Sequence, residues 1–570
     1  MPDRKHTQWM RIRLLVVAGV LVAGAGVMVW RMWTLQVVQA RWLRGLAREQ
    51  YLKDIRLEPM RGPIVDRNGA PLAVSVMTDS FFATPREMAD TGSAAVALAS
   101  ALEMEPASLR RRLSSGKHFV WIKRRVTPEE SARVRELAIP GVHSTRESRR
   151  FYPARELAGS IVGFAGDGRG LEGTELLFDG QLRGATVLAQ GLRDARGNLL
   201  FAEGVGRHGR GGGVVLTIDL TIQEIVETEL LRAVGEAGAR VGTAIVMEPD
   251  TGEILAMANA PGFNPNTFWK HEPKRWRNRA VTDCYEPGST MKVFTMAAAF
   301  QRGVVQPEEH LDCEHGRFEV GGHVIHDSHR PGFGELTPAE ILVHSSNIGM
   351  AKLGIRLGGE DLYSALRRFG FGRRSGVDFP GESRCLLRKP QGWTEVDLAA
   401  ISFGQGVSVT PLQLTAALCA VANGGVFMRP RLVREVRDPD NAVAQRFAPA
   451  PLGRVLDADH ARRLAGMMVG VTRPGGTGTR ASVPGFEVAG KTGTAQKVDP
   501  IAGGYSKDKR VASFMGFVPA RDPRIAVLVV IDEPTTSPYG GVVAAPAFAH
   551  IAEATLRYLK VFPRNDPVPA

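Results

Sequence analysis

Residues 485–496 read GFEVAGKTGTAQ, and this stretch is compatible with two different sites. Its first eight residues match the phosphate-binding loop pattern G-x-x-x-x-G-K-[ST]. The apolar run 525–533, IAVLVVIDE, resembles a strand that ends in magnesium-binding acids, as an ATPase would need. Lys491, Thr492 and Gly493 are also the last element of a serine acyl-transfer site. The rest of the chain decides between these two interpretations.

The segment after Lys491 argues against a phosphate-binding loop. Only 79 residues follow Lys491, whereas such a loop normally opens its domain and needs most of a multi-strand α/β sheet after it. A helix should also follow the loop directly, but Pro500, Gly503 and Gly504 interrupt the segment where that helix would form. We therefore do not expect an ATPase.

The composition indicates a large folded protein with a basic surface. At 570 residues, with 44% hydrophobic and 23% charged residues, the chain can bury a large core and form two or more domains. The net charge of +13 would suit nucleic acid or an anionic membrane surface. The basic residues are spread along the chain and no aromatic-basic motif accompanies them, so we expect no nucleic-acid partner. The alternative is a solvated basic surface near anionic lipid or polymer.

The N-terminus predicts a membrane anchor. The uncharged run 14–30, LLVVAGVLVAGAGVMVW, would rise about 26 Å as a helix, near the thickness of the hydrocarbon core of a bilayer. Trp30 and Trp33 follow where an interfacial belt would lie. A cleaved signal peptide is the alternative, but the cleavage-like triplet 38–40 lies well past the apolar run. We expect an uncleaved anchor over residues 14–35.

The basic residues ahead of this run set its orientation. They are Arg4, Lys5, Arg11 and Arg13. The positive-inside rule keeps this flank in the cytoplasm and sends everything after residue 35 across the membrane. We therefore expect a cytoplasmic tail over residues 1–13, a single span, and all later domains outside.

Local patterns beyond the anchor predict an α+β protein. Residues 40–57 form a plausible amphipathic stalk helix, and 61–75 indicate short strands around an Asn-Gly turn. Strand-like and helix-like pieces alternate to about residue 200, and GVGRHGRGGG at 204–213 is typical of a flexible joint. Beyond it we expect a sheet flanked by helices over residues 211–560. The segments behind this expectation are a strand, cap and helix at 214–234, paired strands at 242–258, strands at 510–518 and 524–533, and a closing helix at 547–562.

Three serines have a lysine three residues later, and their context separates them. The pairs are Ser114/Lys117, Ser289/Lys292 and Ser506/Lys509. A serine hydroxyl is a weak nucleophile that needs a base, and a desolvated lysine one helical turn along can supply it. Ser289 lies in YEPGSTMKVFTMAAAF, where a Pro-Gly turn precedes an apolar helical run, so it would sit at a helix N-terminus. The other two pairs lie in polar, loop-like sequence, so Ser289 is the candidate nucleophile.

Two further triplets complete a serine acyl-transfer set. Ser345-Ser346-Asn347 is the only S-x-N ahead of a helical run, and Lys491-Thr492-Gly493 is the only K-T-G. On a strand, Thr492 and Thr494 would share a face, while Gly493 leaves room for a backbone to approach. Each triplet is weak evidence alone. The ordered set is the one found in β-lactamases and penicillin-binding proteins.

The chain resembles the class B penicillin-binding proteins, and among them the septal division transpeptidases of the FtsI, or penicillin-binding protein 3, type. RGPIVDRNGAPLAVS, RRFYPARELAGSIVGFAG and GLEGTELLFDGQLRG resemble the non-catalytic pedestal of that family. EPDTGEILAMA, YEPGSTMK, HSSNIG, SFGQGVSVTPLQL and AGKTGTAQ resemble its catalytic domain. No glycosyltransferase sequence is recognisable in the pedestal, which favours class B over class A.

The resemblance implies an architecture and a location. It implies an elongated, mainly β pedestal of the dimerisation type over residues 36–210, with a transpeptidase domain over 211–560 and a short tail over 561–570. The transpeptidase domain would hold a mostly antiparallel five-stranded sheet flanked by helices. The location implied is the bacterial inner membrane, with the catalytic domain in the periplasm.

The resemblance also implies catalytic roles. Ser289 would be the acylated nucleophile and Lys292 the base that takes its proton. Ser345, with Lys491 nearby, would relay a proton to the leaving D-alanine. Asn347 would hold the amide of the donor peptide.

The resemblance also implies that the substrate binds at the Lys491-Thr492-Gly493 motif. Thr492 and Thr494 would bind the terminal carboxylate beside Gly493, and the backbone N–H groups of Ser289 and Thr494 would form the oxyanion hole. Peptidoglycan stem peptides would be the substrate, β-lactam antibiotics would be covalent inhibitors, and no metal or organic cofactor is needed. A septal glycosyltransferase of the FtsW type and other division proteins would be the partners.

Three alternatives stay open at this point. GQG at 404–406 departs from the form of the best-known division enzymes, which leaves an elongation-type class B transpeptidase as an alternative. The same fold also serves D,D-carboxypeptidases and β-lactamases. A catalytically inactive divisome protein or cell-wall sensor is the third. The long pedestal and the retained anchor favour a polymer substrate.

A histidine-rich segment is a rival candidate site, and the chain also contains four cysteines. Zinc-capable side chains crowd residues 310–329, namely His310, Cys313, His315, His323, His326 and His329. No pair has the spacing typical of a structural zinc site, so we expect surface histidines on a hairpin beside the active site and no metal. The cysteines are Cys284, Cys313, Cys385 and Cys419, and their spacing leaves the pairing open.

Overall fold

The computed structural model describes residues 4–57, 59–117, 119–184, 187–193, 199–202, 209–328, 331–498 and 503–563. It divides into two compact units. One unit comprises residues 1–59 and 185–209, and the other comprises 60–184 and 210–570. Parts of two expected segments, the joint at 204–208 and the tail at 564–570, lie outside the described residues, as does His329.

The first unit contains the N-terminal helix. This helix, Arg4–Trp33, continues through a π-helical turn, Thr34–Val38, to the helix Ala40–Tyr51. Within residues 6–38 the most apolar 18-residue window has a mean hydropathy of 2.4 and none of it is buried, so this helix is long and apolar enough to cross a membrane. The unit also holds an antiparallel sheet of three strands, Leu52–Leu57, Val187–Arg193 and Leu199–Ala202.

The pedestal part of the second unit is built on one long strand. This strand, Pro71–Ala83, follows the two-residue strand Ile64–Val65 through a turn that contains Asn68 and Gly69, as the sequence predicts. Its paired strands are Val120–Lys123 and Val142–Phe151. A second short pair consists of Ala165–Gly166 and Arg169–Gly170.

The pedestal is mixed α and β, whereas we expected it to be mainly β. Residues 60–184 contain six α-helices, namely Thr91–Ala101, Pro106–Leu113, Pro128–Glu136, Gly159–Val162, Gly173–Leu177 and Asp179–Arg183. The reason is packing, because Leu98, Leu102 and Leu109 bury their side chains against Phe81 of the long strand. A single exposed sheet could not bury that apolar surface alone.

The pedestal and the catalytic part share a sheet. The strand Gly213–Leu216 pairs in parallel with Ile64–Val65 and antiparallel with Val433–Arg437, which in turn pairs with Val443–Arg446. Asp219 then caps the helix Leu220–Glu236 by accepting from the backbone N–H groups of Thr221 and Ile222. This is the strand, cap and helix that the sequence predicts.

The catalytic part is organised by a five-stranded, fully antiparallel sheet. In spatial order its strands are Ile254–Ala260, Val241–Met247, Ile525–Asp532, Tyr505–Val518 and Ala489–Val498. The expected five-stranded sheet is therefore confirmed. The structure also rules out the phosphate-binding loop, because Lys491 lies within the edge strand Ala489–Val498 and the next described element is the strand Tyr505–Val518 and not a helix.

Both faces of this sheet are buried, which explains its near-continuous apolar strands. Successive residues point to opposite faces, so Ala244 and Val246 join one core while Ile245 and Met247 join the other. The first core is covered by the helices Leu220–Glu236 and Ala545–Tyr558. The second is covered by the helices Lys292–Arg302, Pro411–Ala422 and Ala458–Thr472.

The remaining described elements belong to the catalytic part, except for one 3-10 turn of the pedestal, Pro85–Glu87. The α-helices are Arg279–Thr282, Pro338–His344, Asn347–Leu357, Gly359–Arg368, Glu395–Ser402 and Gly540–Val543. The 3-10 turns are Pro85–Glu87, Pro265–Lys270, Pro273–Arg275, Gly288–Thr290, Glu314–Gly316, Pro390–Gly392 and Thr479–Ala481. The short strands are Leu311–Asp312, Arg317–Val320, His323–His326, Glu335–Leu336, Val426–Met428 and Pro451–Arg454.

Candidate active site

Ser289 lies in a turn that leads into a buried helix. The 3-10 turn Gly288–Thr290 precedes the helix Lys292–Arg302, whose side chains from Lys292 to Phe300 are buried. Gly288 has φ +54, a conformation that favours glycine. Ser289 is half-buried and lies directly ahead of the N-terminus of this helix, whose dipole favours developing negative charge.

Lys292 is the first residue of this helix and is completely buried. Its Nζ donates to the carbonyl oxygen of Ser345 at 2.6 Å, to Ser345 Oγ at 3.2 Å and to Asn347 Oδ1 at 2.8 Å. Burial lowers the pKa of Lys292 to about 7, while the charge of Asp327 opposes this shift. The amine is therefore poised between its charged and neutral forms near neutral pH.

The Ser345-Ser346-Asn347 segment joins two helices at a sharp corner. Ser345 ends the helix Pro338–His344 with a left-handed φ of +59, and Ser346 caps the next helix by accepting from Gly349 N at 3.0 Å. Left-handed backbone is costly for a non-glycine residue and persists only where surrounding contacts hold it. The corner turns Ser345 Oγ and Asn347 Oδ1 toward Lys292.

Lys491 reaches the same serine hydroxyl from the edge strand. Its Nζ is buried and donates to Ser345 Oγ at 2.9 Å. Burial, and then the neighbouring Lys292, lower the pKa of Lys491 well below its usual value. Two buried amines that share one hydroxyl cannot both stay charged at low cost, so the arrangement favours a neutral amine that can accept a proton.

The edge strand also packs against the nucleophile turn. A side chain at Gly493 would meet Ser513 Oγ at 2.3 Å, Thr290 Cγ2 at 2.9 Å and the Pro287 carbonyl oxygen at 3.2 Å. Gly493 therefore allows the edge strand to pack closely against Ser513 and the nucleophile turn. Thr492 Oγ1 lies 3.0 Å from Thr477 Oγ1, and Thr494 Oγ1 accepts from Gly540 N at 3.4 Å.

Hydrogen bonds join four of the predicted residues, Lys292, Ser345, Asn347 and Lys491, and the structure adds Asp327 beside them. The buried carboxylate of Asp327 accepts from Ser346 Oγ at 2.8 Å, from Asn347 N at 2.5 Å and from Ile348 N at 3.2 Å. It therefore fixes the serine corner and neutralises the N-terminus of the following helix. No motif marks Asp327 or Thr477 in the sequence, because neither lies near a catalytic triplet along the chain.

The histidine-rich segment lies beside this site. The strands Arg317–Val320 and His323–His326 form a hairpin, and the carbonyl oxygen of His326 accepts from Asn347 Nδ2 at 2.9 Å. Within the part of the chain that the structure describes, no three His, Cys, Asp or Glu side chains are arranged to hold a metal ion. The absence of metal from this segment stays a prediction.

The cysteine pairing that the sequence left open is decided by the fold. Cys284 and Cys385 form a disulfide, with Cα atoms 5.7 Å apart, across 101 residues of sequence. Cys313 and Cys419 are free and buried.

The two rival Ser-Lys pairs have ordinary structural roles. Ser114 Oγ donates to Arg110 O at 2.9 Å at the exposed end of the helix Pro106–Leu113, and Ser506 Oγ accepts from Lys509 N at 3.1 Å on a strand. Lys117 and Lys509 are exposed, so neither has the desolvated amine of Lys292.

Comparison with protein families matches nearly the whole chain after the anchor. The family model described as penicillin binding protein transpeptidase domain matches residues 242–553, and the one described as penicillin-binding protein dimerisation domain matches 56–216. The chain belongs to the penicillin-binding protein transpeptidase family. The members of this family are serine acyl transferases, which agrees with the geometry of Lys292, Ser345 and Lys491.

Individual penicillin-binding proteins are similar over the full length. The chain is 36% identical over 559 residues to the probable peptidoglycan D,D-transpeptidase PenA of Neisseria meningitidis, covering 96% of this chain and 93% of PenA. It is 34% identical over 573 residues to the peptidoglycan D,D-transpeptidase FtsI of Escherichia coli, covering 98% and 94%. Penicillin-binding protein 3 of Mycobacterium tuberculosis, solved with aztreonam, superposes with a TM-score of 0.70 at 30% identity, covering 90% of this chain and 99% of that one.

Proposed function

We propose that this protein is a septal peptidoglycan D,D-transpeptidase that cross-links stem peptides through an acyl-enzyme on Ser289. The observation that carries the proposal is the convergence of Lys292 Nζ and Lys491 Nζ on Ser345 Oγ, with Lys292 three residues after Ser289 in the chain. A buried amine beside a serine at a helix N-terminus is what activates a hydroxyl for attack on an amide carbonyl.

The acylation step follows from this geometry. Neutral Lys292 takes the proton of Ser289 Oγ as that oxygen attacks the carbonyl of the penultimate D-alanine. The resulting C–O bond replaces the C–N bond to the terminal D-alanine. The proton now on Lys292 passes through Ser345 Oγ, which Lys491 also contacts, to the departing nitrogen, so terminal D-alanine leaves as a neutral amine and Lys292 is neutral again.

Substrate binding uses the edge strand and the serine corner. Thr492 and Thr494 bind the terminal carboxylate, and Asn347 holds the amide of the donor peptide. The N–H groups of Ser289 and Thr494 stabilise the oxyanion, a role supported by the close approach of Gly288 to the Thr494 backbone. An amine of a second stem peptide then attacks the acyl-enzyme and regenerates Ser289.

Beyond the chemistry, we propose that the enzyme acts in cell division. The support for this role is the full-length similarity to FtsI of Escherichia coli, and the expected partners are a septal glycosyltransferase of the FtsW type and other division proteins.

The proposed domain boundaries are a cytoplasmic tail at 1–13, an anchor at 14–35, a pedestal at 36–210, a transpeptidase domain at 211–560 and a tail at 561–570.

Mass mapping of the residue modified by a labelled penicillin tests the proposed chemistry. A penicillin resembles the D-alanyl-D-alanine end of a stem peptide, so the residue that opens its ring should be the residue that attacks the donor. The expected result is one adduct on the peptide that contains Ser289. An adduct on any other serine would contradict the assignment.

We predict one membrane span with residues 36–570 outside the cytoplasm. The basis is the basic flank ahead of the apolar run in the helix Arg4–Trp33, which among the described residues is the one helix long and apolar enough to span a membrane. A phosphatase that is active only in the periplasm, fused after residue 563, should therefore be active. An inactive fusion in cells that make the protein stably would contradict this topology.

We also predict that the acylation rate rises with pH through about 7. Burial lowers the pKa of Lys292 to about 7, and only the neutral amine can take the Ser289 proton. Below this pH the amine is charged and acylation slows about tenfold for each pH unit, whereas above it the rate reaches a plateau. Stopped-flow acylation by a fluorescent penicillin between pH 5.5 and 8.5 measures this, and a rate that falls with increasing pH would refute it.

A further inference from the structure

The four residues before Ser289 run alongside the segment 404–409. Tyr285 exchanges two backbone hydrogen bonds with Val409, at 3.0 and 2.9 Å, and Gly288 N donates to Gly404 O at 3.1 Å. A side chain at Gly404 would stand 2.1 Å from the Gly288 carbonyl oxygen, so the two backbones are in direct contact. The nucleophile turn is therefore built on the 404–409 segment.

The Glu286 side chain adds a third connection to this pair of segments. Its Oε1 accepts from Gly406 N at 2.9 Å and from the Tyr505 hydroxyl at 3.1 Å. Its Oε2 is buried and has no hydrogen-bond partner. It costs free energy to bury a carboxylate that accepts hydrogen bonds on only one of its oxygens. The Gly406 N–H and the Tyr505 hydroxyl therefore have to be well placed to donate to Glu286 Oε1.

Tyr505 carries this connection to the strand of Lys491. It is the first residue of the strand Tyr505–Val518 and pairs with Val498 at the far end of the strand Ala489–Val498. Burial and the neighbouring Glu286 raise the pKa of Tyr505 to about 12, so its hydroxyl keeps its proton and donates. Through Glu286, the strand that carries Lys491 and Thr494 is thus attached to the turn that carries Ser289.

We propose that Glu286 is a positioning residue for the nucleophile, and that the Tyr505–Glu286 hydrogen bond sets the spacing between Ser289 and the strand of Lys491. The inference rests on the proposed acyl transfer at Ser289. In acylation, Ser289 Oγ has to reach the carbonyl carbon of a substrate whose terminal carboxylate is bound on that strand. A small change in the spacing between the turn and the strand therefore affects the chemical step. The Tyr505 side chain is 41% exposed, so the bond can be removed with little effect on folding.

Tyr505→Phe is the first test, with Tyr558→Phe as its matched control. Tyr558 makes the same kind of bond, to Asp219 Oδ2 at 3.2 Å, and its 39% exposure is nearly equal. It lies in a helix on the opposite face of the sheet from the helix Lys292–Arg302. Stopped-flow acylation by a fluorescent penicillin separates the dissociation constant before acylation from the acylation rate constant, and thermal unfolding checks both variants.

The expected result is a change in the chemical step alone. Tyr505→Phe should lower the acylation rate constant roughly tenfold, the size typical of a lost hydrogen bond to a charged acceptor, with the dissociation constant within about twofold of wild type. Tyr558→Phe should leave both constants unchanged. Wild-type acylation by Tyr505→Phe, or an equal loss in Tyr558→Phe, would overturn the proposal.

Substitution of Glu286 provides the second test. Glu286→Ala should slow acylation at least as much as Tyr505→Phe, and Glu286→Gln, which keeps an acceptor oxygen, should restore most of the rate. The double variant Tyr505→Phe/Glu286→Ala should be no slower than Glu286→Ala alone, because both changes break one connection. Additive losses would refute this. If Ser289→Ala still carries the label, the proposed function fails, whereas wild-type rates in both Tyr505→Phe and Glu286→Ala with Ser289 labelled refute only the positioning role.

Discussion

Replacement of Ser289 by Ala is expected to abolish covalent labelling by a penicillin while leaving the protein folded. Ser289 combines a turn before it, a buried helix behind it and two amines that meet nearby on Ser345. Without its hydroxyl the β-lactam ring has no nucleophile. A hydroxyl deletion at a half-buried site edge costs about 0.5 kcal/mol or less, so circular dichroism and thermal unfolding should match wild type. The measurement is fluorescence of the labelled protein after denaturing electrophoresis.

The two other Ser-Lys pairs provide matched controls for this experiment. Ser114 and Ser506 have local hydrogen-bonding roles and exposed lysines, so Ser114→Ala and Ser506→Ala should label at the wild-type rate. Persistent labelling of a folded Ser289→Ala variant would sink the assignment of the catalytic site. Loss of labelling in either control with its fold intact would do the same.

Replacement of Lys292 by Ala is expected to have the next largest effect. The hydroxyl of Ser289 loses its base, and general-base catalysis typically contributes about 10²–10⁴-fold, so acylation should slow by at least that range. The buried amine also donates three hydrogen bonds, and its loss leaves the Ser345 carbonyl and Asn347 Oδ1 without that donor. We therefore expect destabilisation of about 1–3 kcal/mol, measured by thermal unfolding.

The experiment has to separate lost chemistry from lost stability. Acylation is measured well below the unfolding temperature, over hours, beside Lys117→Ala and Lys509→Ala from the rival pairs. Both control lysines are exposed, so both variants should acylate normally. A folded Lys292→Ala variant that acylates within about tenfold of wild type would show that another group takes the proton, and Lys491 would then be the next candidate.

The catalytic triplets were predictable from the sequence because each is local. Ser289 and Lys292 are one helical turn apart, and the Lys491 triplet lies on a strand whose alternation is visible in the sequence. The sheet and its flanking helices were predictable for the same reason, since apolar periodicity reports on one element at a time. The mainly β pedestal was wrong, because short helices there become stable only when they pack on the long strand.

What joins these elements was decided by the tertiary structure. Lys292 meets Ser345 across 53 residues, and Lys491 meets it across 146. The role of Asp327, the disulfide between Cys284 and Cys385, and the contact of Glu286 with Tyr505 likewise depend on distant segments.

Such contacts leave no periodic trace in the chain, because their geometry is set by how two faces of one sheet are covered and not by local spacing. The burial that lowers the pKa of Lys292 has the same origin, since only the packed core removes water from its amine. The sequence by itself thus determined the order of the three motifs and the elements that hold them. The tertiary structure decided which distant residues contact these motifs and which amines lose their water.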